Sequence, residues 1–392
     1  MGSFLEGYWE GDPTAYYRQE RQSGTYSRYI PNKLSELEFQ PDQELSLAVE
    51  DALVALAEAG TTLHFTARSE MIGLAVMRSE AVASSFIEGV SVSPAQLLRI
   101  EQLRELNHTQ LTQHNSEYEV LGNLDALNVA SAQSNPGQPI TLEHILEVHR
   151  ALMRYTQFAA SAGALRKSQS WIGGLSPLHA SYVGPPAEMV PELIADLLEF
   201  INSRKHSALI TAAIAHAQFE MIHPFGDGNG RTGRALVHLI LQQRSVGGEV
   251  LIPLSRVLRE DNKSYIFQLQ QTHPAVGDPN WNEWCLYFTR VLEQAASRTM
   301  SCDARLQLLF DEWTNALQGT RSDSAVWKVL PVLLGHPVVT STWLQHRLNC
   351  TAMTADNALE QLTRAGIIRQ VSAGKRNRVF EASEVLKELD RL

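Results

Sequence analysis

The sequence predicts a mainly α-helical protein with a small β-hairpin flap in its middle and a winged helix-turn-helix module at its C-terminal end. Three observations predict this. Apolar residues recur at helical spacing through most of the 392 residues. One segment, 159–187, breaks the pattern: Ala162-Gly163, Ile172-Gly173-Gly174 and Val183-Gly184-Pro185-Pro186 punctuate short β-prone pieces. The tail reads as three helices followed by two short strands around a basic turn.

In chain order, residues 1–45 are rich in tyrosine and turn formers, with Pro13, Pro31 and Pro41, and are expected to form a mostly irregular arm. Leu45–Glu58 has helical spacing at Leu45, Leu47, Ala48, Leu53 and Leu56. A second helix is expected from Ser69 to Phe86, stopped by Gly89 as a C′ residue. Ser93-Pro94 opens a third, to about Leu106, with proline in the first turn. Glu117–Val129 and Thr141–Met153 continue the helical run. Beyond the flap, helices are expected over Ala187–Ile201, Ala208–Ile222, Thr232–Gln243, Leu258–Gln271 and Trp281–Leu317. The tail then offers Val326–Leu334, Ser341–Leu348 and Thr354–Ala365. A hairpin of 367–371 and 378–380 follows, turning at Gly374-Lys375-Arg376-Asn377.

Composition narrows the function. Apolar content of 44% and charged content of 19% are ordinary for a globular protein. No stretch approaches the roughly 18 apolar residues of a membrane span, so no membrane partner is expected. Met1–Gly11 holds Glu6 and Glu10 and no basic residue, unlike a signal peptide. Cys285, Cys302 and Cys350 are few, odd in number and far apart, which suits a reducing, cytoplasmic setting. The net charge of −10 opposes non-specific binding to nucleic acid. The tail differs: 325–392 carries nine Lys/Arg against six Asp/Glu, about +3, which places a domain boundary near Arg321–Ser324.

The chemistry concentrates in His223-Pro224-Phe225-Gly226-Asp227-Gly228-Asn229-Gly230-Arg231-Thr232-Gly233-Arg234, followed by an apolar run from Ala235 to Leu241. Glycines at 226, 228 and 230 permit positive φ and close approach, so successive N–H groups can converge on an anion at a helix N-terminus. Arg231 and Arg234 share one face of the first turns, where cations oppose the helix dipole. A polyanion among them resolves the conflict, and a nucleoside triphosphate is the natural one. His223 beside that nest suits a general base for a hydroxyl nucleophile. Asp227 offers the oxygen that Mg²⁺ prefers alongside phosphates, Asn229 adds an amide to the nest, and Arg234 can balance a terminal phosphate. Such parts suit displacement at phosphorus.

These residues resemble the Fic family, whose motif HPFx(D/E)GNGRxxR is matched by His223–Arg234 at all nine fixed positions. The resemblance implies AMPylation, the transfer of AMP from ATP to a protein serine, threonine or tyrosine. It implies His223 as base and Asp227 as Mg²⁺ ligand. Gly228, Asn229, Gly230 and Arg231 would hold phosphates, with Thr232 and Gly233 in the same nucleotide site, and Arg234 would take the γ-phosphate. The target segment would add as a strand along the 163–186 flap. Ser84-Ser85-Phe86-Ile87-Glu88-Gly89 also fits the family's inhibitory motif (S/T)xxxE(G/N). Its place ahead of the catalytic motif resembles relatives that carry inhibitor and enzyme in one chain, with Ser84 and Glu88 as inhibitory residues and Glu88 pairing with Arg234. The expected division is an arm and inhibitory helical region over 1–110, a Fic catalytic core over 111–320 and a winged-helix domain over 321–392. Related proteins often dimerise, so a homodimer belongs among the expectations.

Other readings stand beside this one. In some relatives the same glutamate supports the reverse, de-AMPylating reaction. Doc-like relatives transfer phosphate, but they carry lysine where Gly230 stands here. A nucleotide-sensing regulator would read DNA through 325–392; without a recognition-helix arginine cluster, Lys375, Arg376 and Arg378 suit protein contact better. His144, His149 and His216 lack a compact zinc spacing and are expected as core or surface histidines.

Overall fold

The computed structural model describes residues 2–62, 67–106, 115–248, 251–273, 279–372 and 378–392. The arm is not irregular: β1 (Ser3–Trp9) pairs antiparallel with β2 (Gly24–Ile30), Phe4 opposite Tyr29 and Tyr8 opposite Thr25. Pro13 lies in the connection and Pro31 just past β2, so neither interrupts the ladder. Within β2, Thr25 and Ser27 face solvent while Tyr26 and Arg28 are half-buried, the alternation of a strand with one covered face.

Five helices follow: α1 (Gln43–Thr62), α2 (Ala67–Ile87), α3 (Pro94–Glu105), α4 (Ser116–Gln133) and α5 (Leu142–Met153). Ser93 and Gln96 form a capping box at α3, and Thr141 with His144 does the same at α5, which accounts for His144. The flap is a short antiparallel pair, β3 (Trp171–Ile172) with β4 (Tyr182–Val183), turned by Gly173 and Gly174 at φ of 75° and 68°. Next come α6 (Val190–Ser203), α7 (Ala208–Ile222) and α8 (Asn229–Gln243). The single helix expected over Leu258–Gln271 is two, α9 (Leu254–Glu260) and α10 (Asn262–Gln270). Asp261 breaks it with φ −124° and caps α10 by accepting from the Ser264 N–H at 3.1 Å. Then α11 (Trp281–Ala316) runs 36 residues.

In the tail, α12 (Val326–Gly335), β5 (Val338–Thr340), α13 (Ser341–Leu348), α14 (Ala352–Arg364), β6 (Arg369–Gln370), β7 (Val379–Glu381) and α15 (Ser383–Leu389) follow in order. The sheet order is β5-β7-β6, antiparallel throughout. Two elements, β5 and α15, were not expected from the sequence. The strand expected over 367–371 shrinks to two residues because Ile367 and Ile368 both turn into the core, breaking alternation. The Gly374–Asn377 turn lies outside the described residues.

Three apolar clusters hold the helices. The first joins α1, α6, α7, α8 and the start of α11. A second core, under the C-terminal part of α2, joins α3, α4 and α5. The third combines the tail with Met71, Ile72, Ala75 and Val76 of α2 and the second half of α11. Helix α2 therefore begins in the core of the tail and ends beside the start of α8. Buried Arg78 anchors it there, donating to Glu101 at 2.6 and 3.1 Å and to the Gly335 carbonyl at 2.7 Å.

Candidate active site

His223 ends α7 in the left-handed region, at φ 48°, which a residue with a Cβ adopts only when its surroundings hold it there. Its N–H donates to the Phe219 carbonyl at 2.9 Å and its own carbonyl accepts from Arg166 Nε at 2.8 Å. The ring's Nδ1 lies 3.3 Å from the Glu220 carbonyl. A carbonyl only accepts, so Nδ1 carries the proton and Nε2 keeps its lone pair, the form a base needs. Burial pushes the imidazole down to about 4, and Arg166 adds to this against the Glu220 carbonyl and the nearby carboxylates. The ring is neutral at pH 7.

The loop 224–228 is tied from within. Asn229 Oδ1 accepts from the Phe225 N–H at 2.8 Å and its Nδ2 donates to the Phe225 carbonyl at 2.9 Å. The Asn229 amide braces the loop through both of these bonds. Only Gly228 of the three alternating glycines has positive φ, 76°, as the N-cap of α8. Gly226 faces open space, and Gly230 packs under Glu88: a Cβ there would sit 2.0 Å from Glu88 Oε1 and would displace that carboxylate. Helix α8 starts at Asn229, three residues earlier than expected, so both arginines lie inside its first two turns. Its first amides have no intrahelical partner and face the same region.

Arg231 is 4% exposed, yet its Nε and Nη1 have no hydrogen-bond partner. The nearest carboxylates are long contacts, Asp227 at 3.8 Å and Glu119 at 4.0 Å. Thr232, also buried, has an unpartnered hydroxyl. Desolvated donors of this kind are costly unless an anion completes them, and phosphate oxygens fit. Asp227 holds Oδ1 on the Gly228 N–H at 2.7 Å. One carboxylate beside a phosphate site matches how Mg²⁺ is usually held; among the described residues no cluster of three or more metal-ligating side chains exists.

Arg234 is held by three hydrogen bonds. Its Nη2 meets Glu88 Oε1 at 2.8 Å and the Ser84 carbonyl at 2.9 Å, and its Nε donates to Ser84 Oγ at 2.9 Å. Glu88 follows the last turn of α2, where the helix dipole disfavours a carboxylate, so the pair with Arg234 accounts for its position. Desolvation opposes the Glu88 charge, but Arg234, with Arg231 and His223, outweighs it and holds the carboxyl below its usual range. Eight residues back on α2, fully buried Glu80 accepts from the Ser255 N–H at 2.8 Å and meets His238 at 3.3 Å. Glu80 and Ser84 of α2, and Glu88 just past its end, thus line up against Arg234 and His238 of α8.

Residues 139–241 match the model of the Fic/DOC family. They form a Fic domain. The chain is 33% identical over 174 residues to the protein adenylyltransferase fic-1 of Caenorhabditis briggsae, covering 43% of this chain and 32% of that protein. It is 31% identical over 207 residues to the protein adenylyltransferase Fic of Drosophila virilis, covering 52% of this chain and 39% of that protein. The chain therefore spans about a third of the length of these relatives. Its fold resembles a Fic family protein from Desulfovibrio desulfuricans G20, with TM-score 0.55 and 21% identity over 88% of this chain and 98% of that one.

The Fic domain also uses residues that sequence reasoning passed over. Arg166, 7% exposed, fastens the flap to the motif: beyond its bond to His223 it donates to Ser168 O at 2.8 Å and Pro185 O at 2.6 Å. Tyr182 of β4 donates to Met221 O at 2.6 Å. His149 is buried against the loop, its Nε2 on the Asp227 carbonyl, its Nδ1 on the Gly163 N–H and its ring stacked on Phe225. Burial pushes it down to about 4. Glu220 carries a buried, unpartnered Oε1; burial, and then the Glu88 charge, push its carboxyl up to about 8. No helix among the described residues is long and apolar enough to cross a membrane.

Proposed function

We propose that the chain is a Mg²⁺- and ATP-dependent protein adenylyltransferase held inactive by its own Glu88. The observation that carries this reading is the contrast at the start of α8: Arg231 buried with unpartnered N–H groups, Arg234 occupied by Glu88 and Ser84. The triphosphate takes Arg231 and the first amides of α8, with Gly228 to Gly230 allowing close approach. Arg234 receives the γ-phosphate once Glu88 withdraws. Asp227 would hold Mg²⁺, which when bound would supply neutralisation of phosphate charge. His223 Nε2 takes the proton of a serine, threonine or tyrosine hydroxyl on the target. The hydroxyl oxygen bonds to the α-phosphorus, the α–β phosphoanhydride bond breaks, and pyrophosphate leaves with the electron pair. The target segment lies along the flap, whose short strands offer main-chain hydrogen bonds.

In this reading residues 111–320 are the catalytic core, and 321–392 is a winged-helix module suited to protein contact or regulation. The setting is cytoplasmic. The test is the identity of the transferred group. The chain bearing Glu88→Gly should label itself or proteins of a lysate from α-labelled ATP, and lose that labelling when His223→Ala is added. Transfer of label from the γ position instead would replace this reading with a phosphotransferase.

A further inference from the structure

We propose that His149 is a positioning residue that sets the metal-binding carboxylate and the root of the flap at once. The ring, 3% exposed on α5, has two bonds of opposite sense. Its Nε2 lies 3.0 Å from the Asp227 carbonyl, which only accepts, so Nε2 carries the proton. Its Nδ1, left with a lone pair, accepts the Gly163 N–H at 2.9 Å. The ring lies flat on Phe225, centroids 3.7 Å apart and planes at 5°. Two segments distant from each other in sequence, Gly163 and the 225–227 loop, therefore meet on one side chain. The two glycines beside it are themselves closely packed. A Cβ on Gly228 would strike Leu152 Cδ2 and Met153 Sδ at 2.9 Å, and one on Gly163 would strike Arg150 Nε at 2.9 Å.

With the Asp227 carbonyl on His149 and its Oδ1 on the Gly228 N–H, both backbone and side chain of Asp227 are fixed, and Oδ2 is left for the cation. Groups that orient a metal ligand typically set metal affinity by about 10–100-fold. The flap root is fixed by the same ring, so metal site and target surface share one support.

The consequence for turnover rests on the adenylyltransferase reading; the consequence for binding does not. In the Glu88→Gly chain, ATP binding is titrated with Mg²⁺ by calorimetry for His149→Phe, His149→Gln and His149→Asn. Phe keeps the stack and loses both bonds, so the Mg²⁺ needed for half-maximal ATP binding should rise about tenfold. Gln can place an amide N–H near the Nε2 position and should restore most of the Mg²⁺ response. Asn can offer only the Nδ1-like acceptor and should restore little. A Phe variant with the parent's Mg²⁺ dependence would overturn the proposal. Should the Phe variant not fold, the order of Gln and Asn decides, and Asn matching or exceeding Gln overturns it. Melting curves separate a merely structural role, which would lower stability in all three and leave the Mg²⁺ dependence alone. A Glu88→Gly parent that binds Mg²⁺ and ATP yet transfers no AMP sinks the adenylyltransferase reading and leaves the His149 comparison intact.

Discussion

Arg231 and Arg234 stand one helical turn apart on α8, both buried, in opposite surroundings. Around Arg234 the chain supplies three acceptors at hydrogen-bond distance: the Glu88 carboxylate, the Ser84 carbonyl and the Ser84 hydroxyl. Around Arg231 it supplies two distant carboxylates and leaves two N–H groups without a partner. On the adenylyltransferase reading, the difference teaches that the two arginines serve different parts of one long anion. In that reading one end of the anion's seat is open, and the other is filled by Glu88, just past the end of α2. On the proposed reading, inhibition is substitution of the Glu88 carboxylate for a phosphate.

The largest effect expected from breaking this arrangement is at the base. In the Glu88→Gly chain, His223→Ala should lower AMP transfer by about 10²–10⁴-fold, measured as initial rate with α-labelled ATP. Retained ATP affinity in that variant would keep the loss on chemistry and not on the arginines.

The two arginines themselves give the sharpest contrast. Arg234→Met removes a cation with three hydrogen bonds and strands Glu88, and should cost about 1–3 kcal/mol in thermal or denaturant unfolding. Arg231→Met removes donors that have no partner and should leave stability unchanged or improved, while weakening ATP binding in the Glu88→Gly chain by about tenfold or more. Equal losses of stability in the two variants would end the comparison.

A smaller effect lies in pH. His223 is held at about 4, well under the ordinary 6.5, so the folded protein keeps its base neutral as pH falls from 7 to 5.5. The activated chain should hold its transfer rate across that range, where an unshifted histidine would lose most of its neutral form. By linkage the same burial contributes stability above 6.5 that is lost as pH falls toward 4. Glu220 runs the other way. Its carboxyl is raised to about 8, so its contribution is present below the ordinary value of 4.5 and is lost as pH rises through about 8. Glu220→Gln should flatten the fall of melting temperature over that window, and an unchanged slope would show that Glu220 does not titrate there.

The sequence made the motif legible because its parts are contiguous: nest, base and arginines fall within His223–Arg234, and Ser84–Gly89 carries its own short signature. Most helices were legible from periodicity, and Gly89, Ser93 and Thr141 marked ends that the structure uses. What stayed hidden depends on contacts between distant segments. The neighbours of His149 do not announce that its two nitrogens join Gly163 to Asp227. Arg166 binds four carbonyls, and carbonyls leave no trace in a sequence. Glu220 reads as an ordinary polar residue of α7 until α2 brings Glu88 near it. In the arm, strand alternation was obscured by proline and tyrosine content and by the long connection between β1 and β2. In the tail, β5 is three residues between two helices, too short for periodicity to register.

The most direct test is the initial rate of AMP transfer from α-labelled ATP by the chain with Glu88→Gly, compared with the unsubstituted chain at the same ATP and Mg²⁺. Freeing Arg234 from a charge-assisted bond worth about 1.5–3 kcal/mol should raise the rate at least tenfold. A rate unchanged or lowered by Glu88→Gly, in a protein that still binds ATP, would contradict the claim that Glu88 occupies the place of a phosphate.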